Sequence, residues 1–432
     1  MYEGNEAAYL AILEEELIPA MGCTEPIALA YAARRARDEL GRAPEAIVAR
    51  CSGNMIKNVR CVAIPNSEGL VGIEAAVALG AFGGDCGRGM EVLESVTPET
   101  RAEAVALLRR GGCRVEYLDS EIPLHFIVEV SGGGDTVSVE VRHDHMNVVR
   151  VIRNGETLLD RVDEGEGAEE AAERSLLSIE GIKDFADHVP LEKIKPLLER
   201  QLRCNMDIAY EGMSGEYGLN IGRTIRAAYP DGVVTRMKAY AAAASEARMD
   251  GCVMPVVINS GSGNQGIASS VPVIVYAREK DIPQDKMYRA LAFSALLTIH
   301  QKDYIGKLSA FCGAVSASCA ACAAVTYLAG GSVEAIKATI DNTLANIPGI
   351  ICDGAKISCA AKIATSIDAG MMAHFLAMRG KAYEAFTGIL KEEAEETISC
   401  VGYIGKFGMR ETDKEIVKMM LNRKADSATV EA

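Results

Sequence analysis

Apolar residues recur at helical spacing over residues 6–40, interrupted once at 22–26, before the pattern resumes over 27–40. From residue 45 the period changes. Short runs rich in β-branched residues at 46–51, 59–64, 114–118, 125–130, 136–141 and 148–152 read as strands. Turn signals such as Asn66-Ser67-Glu68-Gly69 and Asn154-Gly155 bound them. Two helical stretches interrupt the strands, at 73–82 and at 98–110, the second with Thr97 placed to cap it. Residues 161–172 are acidic and glycine-rich and read as a linker. Beyond them the spacing is helical: 171–187, 191–205, 222–228, 239–248, 286–302, 313–329, 333–346, 354–378 and 387–398. The expected fold class is α+β. A mainly helical domain built from both chain ends, 1–44 and 170–432, is expected, with an inserted α+β lobe at 45–169.

Composition narrows this picture. Among 432 residues there is no Trp and only 5% aromatics, so the core must be built from Ala, Ile, Leu, Val and Met. That favours close-packed helices. The net charge of −15 argues against a broad electrostatic hold on nucleic acid or an anionic membrane. The N-terminus is acidic and amphipathic and lacks the basic and apolar regions of a secretory signal. Residues 308–333 carry no charge and are long enough to span a bilayer, but they are rich in Ala, Ser, Cys and Gly. A helix buried in protein accounts for them better, and a cytoplasmic protein is expected.

Thirteen cysteines in a reducing compartment point away from disulfides. They are buried small hydrophobes, metal ligands or nucleophiles. A thiolate is favoured where backbone N–H groups and the helix dipole offset its charge, at a helix N-terminus. Cys23 precedes the helix that opens near Pro26, Cys312 precedes Gly313 and an Ala-rich helix, and Cys352 is expected to open the helix over 354–378. Cys359, seven residues further on, is a reserve ligand. Cys319 and Cys322 form a CxxC inside an apolar helix, where filling space explains them. No His stands at zinc-finger spacing from the three thiols. Three thiolates on a [4Fe–4S] cluster would leave one iron without a protein ligand, free to act as a Lewis acid.

The run Asn259-Ser260-Gly261-Ser262-Gly263-Asn264-Gln265-Gly266 follows an apolar stretch. Its N–H groups and short polar side chains suit a carboxylate or phosphate, or simply a tight turn. It lacks the Gly-Lys-Ser/Thr of a Walker loop, and no clean βαβ unit surrounds its G-x-G-x-x-G. Other polar groupings are Asn54, Lys57 and Asn58, and His143 and His145 with Asn147, the two histidines alternating on one face of a strand end.

Taken together, Gly22-Cys23-Thr24-Glu25-Pro26, Asn54-Met-Ile-Lys57-Asn58, His145-Met-Asn147, the 259–266 run and Ile351-Cys352-Asp353-Gly354-Ala355 resemble the L-cysteine desulfidase family. That family is related to the α-chain domain of iron–sulfur L-serine dehydratases. The resemblance spans about residues 10–420. It implies a PLP-independent α,β-elimination on a [4Fe–4S] cluster, whose ligands map to Cys23, Cys312 and Cys352. It implies release of aminoacrylate, which hydrolyses to pyruvate and ammonia. The glycine run would hold the substrate's carboxylate or ammonium, with Asn54, Asn58 and Asn147 as further substrate contacts. His145 and Lys57 are the candidates for the base that removes the Cα proton. Arg60 and His143 receive no role.

Three alternatives stay open: an iron–sulfur L-serine dehydratase, a PLP-dependent elimination, and a non-catalytic iron–sulfur sensor. Against PLP, no Schiff-base lysine context precedes the glycine run. The expected partner is a small amino acid, with no nucleic acid and no membrane, and a homo-oligomer stays open.

Overall fold

The computed structural model describes residues 5–161, 174–306 and 308–421. A six-stranded mixed sheet occupies 46–160. Its strands are β2 (Ala46–Cys51), β3 (Cys113–Tyr117), β4 (His125–Gly132), β5 (Asp135–Arg142), β6 (Val148–Arg153) and β7 (Glu156–Asp160), after a short β1 (Pro19–Met21) outside this sheet. The order is β3-β2-β4-β5-β6-β7, parallel only between β2 and β3. Alternation decides which face is covered. Ile47, Ala49 and Cys51 on β2 and Val137, Val139 and Val141 on β5 are buried, beneath the helices Thr24–Leu40 and Gly72–Gly83. Those two helices cross closely because Gly80 has no Cβ, which would lie 2.2 Å from the Ala30 carbonyl oxygen. The opposite face carries ion pairs such as Arg50 with Glu116 and Glu129.

The rest is helical. Gly313–Leu328 is buried from Ala314 to its end, packed among the helices Gly263–Glu279, Gln284–Ile305, Val333–Asn346 and Cys359–Ala377. This is the uncharged stretch that raised the question of a bilayer. Among the described residues no helix is long and apolar enough to cross a membrane. Cys319 and Cys322 are fully buried within it, and a Cβ on Gly370 would meet the Cys322 sulfur at 2.6 Å.

Several expectations need correction. Residues 59–64 are not a strand: Val59 ends the helix Gly53–Val59, and beyond it the chain turns and only Ala63 pairs, in an isolated antiparallel bridge with Val71. The helix expected at 354–378 begins only at Cys359, since Gly354 adopts φ +94° and turns the chain. The helix expected at 387–398 is Ala394–Tyr403, preceded by a turn at Gly388 with φ +68°. Strand β7 has no apolar alternation to reveal it, because it is an exposed edge. The helix expected at 171–187 is Ile179–His188, started by Ser178 accepting from Gly181 N. The linker expected at 161–172 lies outside the described residues apart from Arg161.

One buried histidine carries a pH prediction. His374 is 3% exposed and its Nδ1 lies 2.9 Å from the Thr326 hydroxyl. Burial pushes its pKa down to about 4. Between that value and the unfolded value of about 6.5, the unfolded chain binds a proton that the folded chain refuses, so stability falls as pH falls. Melting curves of the wild type and of His374→Gln from pH 8 to pH 4 should therefore converge as the pH drops through this window. Parallel curves would contradict the assignment.

Candidate active site

Two backbone pairings assemble the site. Strand β1 pairs antiparallel with β8 (Pro255–Val257), Met21 opposite Pro255. This sets the turn at Gly22 and Cys23 beside the 259–266 run, and the Thr24 hydroxyl donates to the Gly261 carbonyl at 2.8 Å. The second pairing is the single antiparallel bridge between Phe311 and Ile351. Cys312 N donates to Ile350 O at 2.8 Å and Cys352 N to Ala310 O at 2.7 Å, which brings the two cysteines together. Gly354 then passes against the helix Gly53–Val59 so closely that a Cβ there would lie 2.1 Å from the Lys57 carbonyl oxygen.

The outcome is one cavity whose lining includes Cys23, Cys312, Cys352 and Cys359. Cys23 and Cys312 are N-caps of the helices Thr24–Leu40 and Gly313–Leu328, as the sequence suggests. Cys352 is not at a helix start. The first residue of that helix is Cys359, whose thiol contacts the Gly354 carbonyl at 3.9 Å.

The four thiols differ in electrostatics. A hydrogen bond from Cys312 holds the Cys352 thiol well below its usual range against the cost of burial, helped by Lys57, the Gly354 N–H and Lys362. The same bond, with burial, pushes Cys312 up. Burial pushes Cys23 up to about 12, partly offset by Arg248. Burial also raises Cys359.

The same cavity gathers most of the sequence candidates. Asn58, His145, Ser260, Gly261, Ser262, Asn264 and Gln265 line it. His145 lies over Gly261, where a Cβ would be 3.1 Å from its Cε1. Gly263 has no side chain to offer, and a Cβ on it would strike the Arg248 guanidinium at 2.3 Å. Three candidates are placed elsewhere. Lys57 is 1% exposed and forms an ion pair with Asp413. Asn54 donates to the same carboxylate at 2.7 Å and lines a separate, larger cavity of about 640 Å³ that also holds His143. Asn147 closes its own turn by donating to Arg142 O at 3.0 Å. His143 and His145 therefore do not share a strand face. They lie in the turn between β5 and β6, where His143 has φ +66° and the two side chains line different cavities.

Three charged residues unassigned from sequence also line the thiol cavity: Glu25, Arg248 and Lys302. Glu25 stands inside a quoted motif. Arg248 lies in the last turn of the alanine-rich helix Val233–Met249, where a charged residue amid a buried run is a usable signal. Lys302 gave none, because it follows His300 and Gln301 near a helix end. Burial lowers its pKa to about 8.

The lining suits a polar guest. His145 Nε2, Asn58 Oδ1, Gln265 Oε1 and Arg248 Nε are buried with no hydrogen-bond partner, and all four residues face this one cavity. Orphaned polar atoms are rare in folded interiors and call for a ligand or a function. Among the described residues no three His, Cys, Asp or Glu side chains form a group for a single metal ion. Three thiols lining one cavity are the type of donor set that an iron–sulfur cluster takes.

The family model of the serine dehydratase alpha chain matches residues 87–418. The chain belongs to that serine dehydratase alpha-chain family. The match contains Cys312, Cys352, His145 and the glycine run, while Cys23 precedes it. Similar proteins extend the likeness over nearly the whole chain. A UPF0597 protein of Lachnoclostridium phytofermentans is 46% identical over 412 residues, covering 95% of this chain and 98% of its own length. A UPF0597 protein of Desulfitobacterium hafniense is 44% identical, covering 96% of each chain. Another from Treponema denticola is 43% identical, covering 96% of this chain and 97% of its own. The chain is thus serine dehydratase-like.

Proposed function

We propose that this chain is a carbon–sulfur lyase that converts L-cysteine to sulfide, pyruvate and ammonia. The observation that carries the reading is the convergence of Cys23, Cys312 and Cys352 on one cavity with an unpartnered His145 Nε2. The three cysteines would hold a [4Fe–4S] cluster, which when bound supplies Lewis-acid chemistry at the iron that has no protein ligand.

The chain's own residues do the rest. His145 Nε2 accepts the proton from Cα of the substrate. The electron pair of that C–H bond forms the Cα–Cβ double bond as the Cβ–S bond breaks and sulfur leaves with its pair. Aminoacrylate remains and is hydrolysed by water to pyruvate and ammonia. Lys57 is not placed to take the proton, because its amine is held by Asp413. Its role is electrostatic, lowering the pKa of Cys352. Cys23 and Cys312 line the cavity from the N-cap positions of their helices.

Cysteine is preferred because a thiol of pKa about 8.5 leaves far more readily than an alkoxide, and soft sulfur suits an iron–sulfur site. Lys302 favours a second reading, L-serine dehydration, which the family description also suggests. Its ammonium lines the cavity and is able to protonate a departing hydroxyl. Parallel pyruvate assays on one anaerobically reconstituted sample distinguish the two. The expected result is kcat/KM for L-cysteine well above that for L-serine. Faster turnover of L-serine, abolished by Lys302→Met, would establish the dehydratase instead.

A further inference from the structure

Arg248 is 3% exposed, and its hydrogen-bond acceptor is a neutral one. Its Nη1 donates to Asn264 Oδ1 at 3.2 Å, an oxygen already accepting from the Ser245 hydroxyl at 3.0 Å. Its Nε has no partner, and among the described residues no carboxylate forms an ion pair with it. A buried guanidinium held this way is costly unless an anion reaches it. Glu25 is the opposite case in the same cavity. Its carboxylate accepts from Asn58 Nδ2 at 3.0 Å, a neutral donor, and lies 3.1 Å from the Thr24 hydroxyl, whose shorter bond goes to the Gly261 carbonyl. One fixed cation and one fixed anion thus line a single cavity without neutralising each other.

From this geometry we infer that Arg248 and Glu25 form a two-point clamp for an α-amino acid zwitterion, Arg248 binding the α-carboxylate and Glu25 the α-ammonium. The planar guanidinium is suited to a carboxylate in a forked pair. Asn264 is then a positioning residue, because its side-chain oxygen holds Arg248 in place. The inference rests on the amino-acid lyase reading and specifies what that site recognises: both charged groups of the substrate, independently of its leaving group.

Calorimetric titration of the anaerobically reconstituted protein tests the clamp without relying on turnover. The probes are L-cysteine, cysteamine, which lacks the carboxylate, and 3-mercaptopropionate, which lacks the ammonium. The wild type should bind L-cysteine roughly 10- to 100-fold more tightly than either analogue. Arg248→Met should weaken L-cysteine and 3-mercaptopropionate but leave cysteamine unchanged. Glu25→Gln should weaken L-cysteine and cysteamine but leave 3-mercaptopropionate unchanged. Equal wild-type affinity for all three would overturn the clamp. So would a uniform loss for all three in the Arg248 variant, which would assign that charge to the thiolates instead. Charge-dependent binding without pyruvate formation would keep the clamp and overturn the lyase, whereas pyruvate formation with charge-independent binding would do the reverse.

Discussion

Replacing Cys23, Cys312 or Cys352 with alanine is expected to remove bound iron and turnover together, down to the level of the iron-free chain. Each thiol lines the same cavity, and a cluster held by three protein ligands is not expected to survive on two. Cys319→Ala and Cys322→Ala are the controls. Both thiols are buried in the centre of the helix Gly313–Leu328, so these variants should lose some stability through the space left behind but keep their iron. Cys359→Ser should also keep it, since that thiol already contacts the Gly354 carbonyl. Iron and acid-labile sulfide measured on the set decide the matter. Full iron in any of the first three variants, or its loss from Cys359→Ser alone, would reassign the ligands.

His145→Gln should lower kcat by about 10²- to 10⁴-fold, the usual range for loss of a positioned proton acceptor. Iron content and the calorimetric affinity for L-cysteine should change little, because His145 Nε2 makes no hydrogen bond to the surrounding protein. Glutamine keeps much of the volume above Gly261 while removing the basic nitrogen. A fall of less than tenfold would exclude His145 as the base and direct attention to Lys302.

Much of this site could be read from the chain alone, for a local reason. Cys23 and Cys312 stand at helix starts marked by a nearby proline and a following glycine, and capping chemistry is written in adjacent residues. The same rule reached Cys352 by a faulty route. Its place comes from the bridge between Phe311 and Ile351, a pairing across forty residues that no periodicity reveals. Long-range placement also separates Lys57 and Asn54 from Asn58. They share the helix Gly53–Val59, but Asp413 on the helix Arg410–Met420 draws both towards itself. Arg248 and Lys302 show the complementary difficulty, since a buried charge is informative only once its missing partner is visible. The sheet was largely legible because alternation marks every strand with a covered face. The exposed edge β7 carries no such mark, the three-residue strands β1 and β8 are too short to show one, and the run at 59–64 has a strand's composition without forming one.

The most direct test of the central claim is the composition and activity of the wild-type protein reconstituted anaerobically with iron and sulfide. The expected result is about four iron and four sulfide per chain with broad visible absorption, together with sulfide and pyruvate formed in equal amounts from L-cysteine and lost on exposure to air. A colourless, iron-free protein that still forms pyruvate at the same rate would contradict it.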